Sequence, residues 1–360
     1  MADDRRIVCT IQHPAHVHFF RNAITELRDR GYDVHVFARE KDVACELLER
    51  YGIAHQRLAG PVNTPLDLLA VQARYEYEIL RRVRRLQPAA VLGIGEPAIA
   101  HVSAIGDTQG ILFTDTEHAA LQNAVSLPFA DRVYTPSAFW DDYGAHHRRY
   151  PGYHELAYLH PNWFAPDPAL PTGLEPADGP LVVLRLVSWN AAHDIGRTGV
   201  ASLERVIAGL ERFGATVRIT AEGALPPTLA ARRADVAPDR MHDLLARADL
   251  FLGESATMAI ESCLLGTPAL YVSDLRAGVL EELEGRYRLL RWLSNDAHPG
   301  EIVAHARELL RTGESTWAKR RRRVLAEKID TTAFVVDVVE DVAGADVEEN
   351  DSVTPEVVHE

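Results

Sequence analysis

The residues best suited to handling a phosphate lie in LFLGESATMAIESCLLGTPAL, residues 250–270. A strand-like run enters Gly253, the small residues Ser255 and Ala256 open a helix, and Gly266-Thr267-Pro268 ends it. The N–H groups exposed at such a helix start, with the helix dipole behind them, attract a diphosphate. Thr257 and Glu261 are four positions apart and share one helix face. A hydroxyl there reaches phosphate, while a carboxylate one turn deeper accepts from ribose hydroxyls. The same pattern also suits a capped helix packed closely on a sheet, with Glu261 merely solvated.

Titratable groups gather in three other segments. Thr114-Asp115-Thr116-Glu117-His118 follow a strand-like run, so Asp115 and Glu117 are candidates for acid and base. The competing explanation is a helix N-cap with an acidic first turn. His13, His16 and His18 follow the first strand; their spacing across Pro14 fits no strong metal signature. They are expected to line a loop that offers a base or hydrogen bonds to substrate, or else to pack. Ser188, Asn190 and His193 stand in VSWNAAHDIG, a polar loop for diphosphate or sugar if not a plain surface loop. The arginines of 81–85 and 320–323 read as solvated helix faces rather than patches for anionic lipid or phosphate.

Each of these segments must be carried by a strand or helix. Strands are predicted over Arg6–Ile11, Asp33–Ala38, Ala89–Gly93, Gly110–Phe113 and Arg132–Thr135. Helical patterns separate them at His18–Arg30, Asp42–Tyr51, Pro65–Leu86, Pro97–Ile105 and Glu117–Phe129. Residues 161–180 then hold six prolines and three acidic residues, a linker composition. Beyond it the alternation resumes, with strands Leu181–Val187, Thr216–Thr220, Leu250–Gly253 and Ala269–Ser273. Its helices are Gly199–Phe213, Met241–Ala248, Ala256–Leu265, Gly278–Glu284, Gly300–Leu310 and Thr316–Ile329. Strand–helix alternation implies parallel strands joined by crossover helices. In such sheets ligands bind beyond the carboxyl ends of the strands, where the four polar segments fall.

The expected division is a first domain over 1–162, a linker over 163–180 and a second domain over 181–329. A helix over 330–342 and an acidic, disordered tail over 343–360 complete it. At 360 residues, two domains are the natural expectation. No apolar run approaches the roughly 20 residues of a membrane span. The N-terminal MADDRR lacks the apolar stretch of a signal peptide, and Cys9, Cys45 and Cys263 are scattered, so a reducing cytoplasm is expected. Net charge is −14, and the only lysines are Lys41, Lys319 and Lys328. That balance argues against non-specific nucleic-acid binding, which needs a basic surface. It suits an archaeal halophile, in whose medium salt screens self-repulsion, although a GC-rich genome favouring arginine produces the same balance.

Read together, IQHPAHVHFF, AREKDVACELLERYGI, FTDTEHA, LPFADRVYTPS, GYHELAYLHPNWF, LRLVSWNAAHDIG and MHDLLARADLFLGESATMAIESCLLGTPALYVS resemble an uncharacterised domain family of archaea and bacteria. That family is placed in the GT-B superfamily and described as predicted glycosyltransferases. The resemblance covers about residues 6–310. It implies an α/β chain of the GT-B fold: two Rossmann-like, doubly wound domains facing across a cleft. It also implies a nucleotide-sugar site in the second domain and a C-terminal helix that crosses back to the first. More distantly, Ser255–Glu261 is similar to the donor-binding segment of the peptidoglycan N-acetylglucosaminyl transferase, which makes Glu261 the ribose ligand. Thr114–Asn123 is similar to the HVEAGLR-type motif of non-hydrolysing UDP-N-acetylglucosamine 2-epimerases, with Glu117 at its glutamate and His193 at a catalytic histidine. The arginine of that motif is Gln122 or Asn123 here, and the epimerases' Arg-Pro-Glu is His13-Pro14-Ala15.

The function expected is metal-independent glycosyl transfer from a nucleoside diphosphate-sugar, with no cofactor. Ser255, Ala256, Thr257 and Glu261 would bind the donor, with Ser188, Asn190, His13 and His18 as further substrate contacts. Glu117, His16, Asp115 and His193 are the acid–base candidates. The implied partners are a UDP-linked donor and an acceptor the sequence does not name, lipid-linked ones included; oligomeric state is not legible. The alternatives are 2-epimerisation of a UDP-N-acetylhexosamine and a catalytically silent sugar-nucleotide-binding protein.

Overall fold

Runs rich in Val, Ile, Leu and Phe, too short for helices and bounded by polar turns, become buried parallel strands. In the computed structural model, which describes residues 5–39, 43–59, 65–106, 108–167, 169, 174, 179–186, 200–221 and 223–351, they form two sheets. The chain divides into unit 1, Met1–Tyr158 with Asp330–Glu360, and unit 2, Leu159–Ile329.

Unit 1 begins β1 (Arg6–Ile11), α1 (Pro14–Asp29), β2 (Asp33–Arg39), α2 (Ala44–Arg50), β3 (Gln56–Ala59), α3 (Pro65–Leu86) and β4 (Ala90–Ile94). It continues α4 (Pro97–Ser103), β5 (Gln109–Phe113), α5 (Ala120–Ser126), β6 (Arg132–Pro136), β7 (His147–Tyr150) and the single turn α6 (Leu156–Leu159). The seven strands are ordered β3-β2-β1-β4-β5-β6-β7, each pairing parallel with its neighbour. On one face Tyr75, Ile79 and Val83 of α3, spaced by four, bury against Val8, Val91 and Leu112.

Unit 2 runs β8 (Leu181–Leu186), α7 (Val200–Glu211), β9 (Thr216–Ala221), α8 (Met241–Arg247), β10 (Leu250–Gly253), α9 (Ala256–Leu265) and β11 (Ala269–Val272). It closes with α10 (Gly278–Glu282), a π-helical turn, β12 (Leu290–Leu293), α11 (Pro299–Arg311) and α12 (Glu314–Glu327). Its sheet order is β12-β11-β10-β8-β9, again parallel. Leu203, Val206, Ile207 and Leu210 of α7 and Ile302 and Ala306 of α11 cover one face.

The last helix, α13 (Thr331–Asp351), belongs to unit 1. The Thr331 and Thr332 hydroxyls donate to the carbonyls of Tyr153 and Ala157 at 2.8 and 2.5 Å, and Phe334 stacks on Tyr150. The helix continues through Asp351, past residue 343 where an acidic tail was expected to begin; residues 352–360 lie outside the described residues. Ala343, Ala345 and the Glu residues that follow Val342 are compatible with helix, which is why the acidic composition does not end it.

Three strands escape the sequence pattern: β3, β7 and β12. Each is four residues long and lies at the edge of its sheet, where charged residues such as Arg57, Arg148 and Arg291 blunt the apolar signal. Two predicted helices start three or more residues from the expected position. Helix α1 starts at Pro14 rather than His18, because the His13 ring accepts from Ala15 N and caps it, and proline suits the first helical position. Helix α5 starts at Ala120 rather than Glu117; the Asn123 amide donates to Thr116 O and Thr116 N to Thr114 Oγ1, which hold 114–119 as a loop.

Candidate active site

In unit 2 the β10 chain passes directly against β8: a Cβ on Gly253 would lie 2.6 Å from the Arg185 carbonyl oxygen. The chain then turns through Glu254 into Ser255, whose extended backbone makes it the N-cap of α9, and its hydroxyl accepts from Met258 N at 3.3 Å. That cap occupies the third N–H of the helix. The N–H groups of Ala256 and Thr257 have no acceptor within the helix by its geometry. Ser255, Ala256 and Thr257 are half-buried, so this turn meets solvent. At the far end Gly266, at φ 98°, ends α9 in the left-handed region.

Glu261 sits one turn below Thr257 and is not a solvated residue. It is 5% exposed, and its Oε1 lies 3.0 Å from Nε2 of His242 on α8, itself 2% exposed. Phe164 meets the His242 ring edge-on at 5.9 Å. The next residue, Asp243, holds the chain before α8: its carboxylate accepts from Asp167 N and pairs with Arg240. His242 was not a sequence candidate. It is the second residue of α8, in a stretch the sequence marks only through the resemblance, and only the α8–α9 packing shows its partner.

In unit 1 the histidines after β1 separate. His13 is exposed at the α1 cap, and His16 Nδ1 accepts from Gln12 N at 3.4 Å. His18 is buried between Tyr51 and Tyr158, so the expected three-histidine loop does not form: α1 starts early enough to carry His18 inward. Ser188, Asn190 and His193 lie outside the described residues.

After β5, Glu117 is 7% exposed, and Asp115 pairs with the segment that follows β7. The Asp115 Oδ2 lies 3.3 Å from Nδ1 of His154, while its Oδ1 accepts from the Thr116 hydroxyl. His154 packs on Phe19 at 4.5 Å, and its Nε2 is buried with no hydrogen-bond partner among the described residues. Burial pushes its imidazole below the usual value, against the opposing pull of Asp115. His154 stands in GYHELAYLHPNWF, a stretch the sequence marks only through the resemblance.

A second carboxyl that the sequence did not single out is Glu96, 1% exposed, in the loop after β4. The Thr10 hydroxyl of β1 lies 2.5 Å from its Oε2. Burial raises its pKa, while the hydrogen bond from Thr10 opposes the rise. Gly93 makes room, since a Cβ there would lie 2.7 Å from Thr10 Oγ1. The rule that selected the loop after β5 selects this one too, because β4 is the middle strand of the sheet. Among the described residues no three metal-ligating side chains converge, and no helix is long and apolar enough to cross a membrane.

Solved structures share this architecture over nearly their whole length. The spinosyn forosaminyltransferase SpnP aligns with a TM-score of 0.69 at 15% identity, covering 94% of this chain and 99% of that one. A candidate UDP-N-acetylglucosamine 2-epimerase from Listeria monocytogenes gives 0.71 at 13%, covering 93% and 96%. The glycosyltransferase VinC, in complex with dTDP, gives 0.65 at 15%, covering 94% and 100%. The chain has the GT-B fold.

Within that class, residues 6–164 match the family described as "Protein of unknown function (DUF354)", so the resemblance drawn from the sequence holds over those residues. An uncharacterised protein of Methanocaldococcus jannaschii is 24% identical over 123 residues, which span 34% of this chain and 36% of that protein.

Proposed function

We propose that the protein is a glycosyltransferase that takes a nucleoside diphosphate-sugar, UDP-linked, in unit 2 and an acceptor in unit 1, without a metal. The observation that carries this reading is the first turn of α9. It offers outward N–H groups at Ala256 and Thr257 to a diphosphate, with the held carboxylate of Glu261 one turn below for the ribose. Such donors are fixed before the reaction, so they stabilise the leaving diphosphate at little reorganisation cost. Glu117, Asp115 and His16 are the proton acceptors unit 1 brings to this reading, and His154 joins them through Asp115. The three cysteines are free and buried, which suits a cytoplasmic site of action.

A second reading, 2-epimerisation, is favoured by one feature: unit 1 holds more than one group suited to exchanging a proton, Glu96 and the Asp115–His154 pair. One experiment separates the two. Nucleotide sugars are incubated with the protein, with and without cell-extract acceptors, and followed by NMR. Transfer releases the nucleoside diphosphate only when an acceptor is present. Glu261→Ala should weaken donor binding by about 1.5–3 kcal/mol, the worth of hydrogen bonds to a charged group. A C2 epimer formed without acceptor would replace the first reading by the second; unchanged donor affinity in Glu261→Ala would remove Glu261 from the site.

A further inference from the structure

The reading of unit 2 as a nucleotide site asks for a carboxylate at Glu261 but does not explain why that carboxylate is buried against a histidine. A buried carboxylate needs a partner, because its charge is costly away from water. His242 Nε2 supplies one at 3.0 Å, and both groups are at most 5% exposed. The ring is held in turn. It sits on α8, whose start is fastened to the 164–167 chain through Asp243 and Arg240, with Phe164 against the ring edge. The contact is therefore rigid on both sides, α8 carrying the donor and α9 the acceptor.

A carboxylate only accepts hydrogen bonds, so an anchored one selects a ligand with donors in matching positions. The vicinal 2′ and 3′ hydroxyls of a ribose are such a pair, and a 2′-deoxyribose lacks one. We infer that His242 is a positioning residue that fixes Glu261 for the 2′,3′-diol, so that the donor of this protein is a ribonucleotide rather than a 2′-deoxyribonucleotide. The inference rests on the nucleotide-site reading and adds to it the residue that holds its carboxylate. His242 acts through Glu261 and need not touch the ligand.

The test is calorimetric titration of the full chain with matched pairs: UDP and dUDP, GDP and dGDP, ADP and dADP. For the base that binds best, the wild type should favour the ribonucleotide by about tenfold or more, the worth of one hydrogen bond to a charged acceptor. H242M, an unbranched apolar replacement, should lose that preference, leaving the two nucleotides within about twofold while the deoxy affinity stays put. H242Q reaches Glu261 with an amide N–H and should retain most of the preference; H242N, one methylene shorter, should not. The Gln–Asn contrast decides the matter if H242M does not fold. A wild-type ratio that persists in H242M or H242N overturns the role of His242. Equal loss of both nucleotides marks a merely structural pair and overturns it as well. Equal affinities in the wild type overturn the ribose selection alone, whereas failure of the wild type to bind any of the six overturns the nucleotide site itself.

Discussion

Glu96 is a carboxyl whose environment opposes its charge. With 1% exposure it sits beside Thr10, and burial raises its pKa above the ordinary value of 4.5. The sign follows from linkage. Between the unfolded and the raised folded pKa, the folded state binds more protons, so stability falls as pH rises through that window. Glu96→Gln keeps the shape and lets an amide oxygen accept from Thr10, while removing the charge. The variant should match the wild type below about pH 4 and unfold at higher denaturant than the wild type at pH 7–8. A wild-type advantage at pH 8 in parallel urea melts would show that the ionised form is well solvated, against the burial argument. If Glu96 also exchanges protons with substrate, the same variant should be stabler and slower, the usual trade at a functional site.

At the scale of elements, legibility depended on burial. Strands β1 and β10 and helices α3 and α9 show the predicted bounds because each is either an unbroken apolar run or a strongly patterned one. The edge strands β3, β7 and β12 expose one margin and admit arginine, so their patterns resemble loops. The candidate groups are legible where they follow a strand directly, at Ser255–Glu261 and Asp115–Glu117. They are not legible at His242 or His154, whose partners stand 19 and 39 residues away and meet them only through packing. Segment 153–157 also depends on α13, the element most distant in sequence. Thr331 is fully buried, and its hydroxyl donates to Tyr153 O next to His154. Thr331→Val preserves volume but removes one of the hydrogen bonds that carbonyl accepts, leaving it the one from Leu156 N, a loss of about 0.5–1.5 kcal/mol. Chemical denaturation should show it, with faster proteolysis in α13; an unchanged midpoint would mean that the Thr331 hydroxyl does not hold α13 to this segment.

Across the whole molecule, 52 acidic residues face 38 basic ones, and lysine has almost disappeared. Of the three lysines, Lys328 is 8% exposed and bound to Glu282 at 2.7 Å, so it does not serve the surface. Exposed ion pairs such as Arg57–Glu49 and Arg286–Glu327 recover part of the imbalance, but pairs of this kind contribute only about 0–1 kcal/mol each. Salt weakens these pairs and also screens the repulsion among the surplus carboxylates, so the two effects oppose each other. The surplus carboxylates act together over the whole surface, whereas each ion pair acts alone, so repulsion should prevail. The melting temperature is therefore expected to rise as salt increases from about 0.1 M, where the screening length is about 10 Å, toward 1 M, where it is about 3 Å. Screening has little left to remove beyond that point, so the rise should flatten in KCl. A continued linear rise, steeper in sulfate, would instead report exclusion of the salt from the protein surface. Melting curves in KCl and in potassium sulfate from 0.05 to about 3 M distinguish these outcomes. A flat or falling curve in KCl would mean that the scarcity of lysine reflects the coding bias of the genome and carries no adaptation to salt.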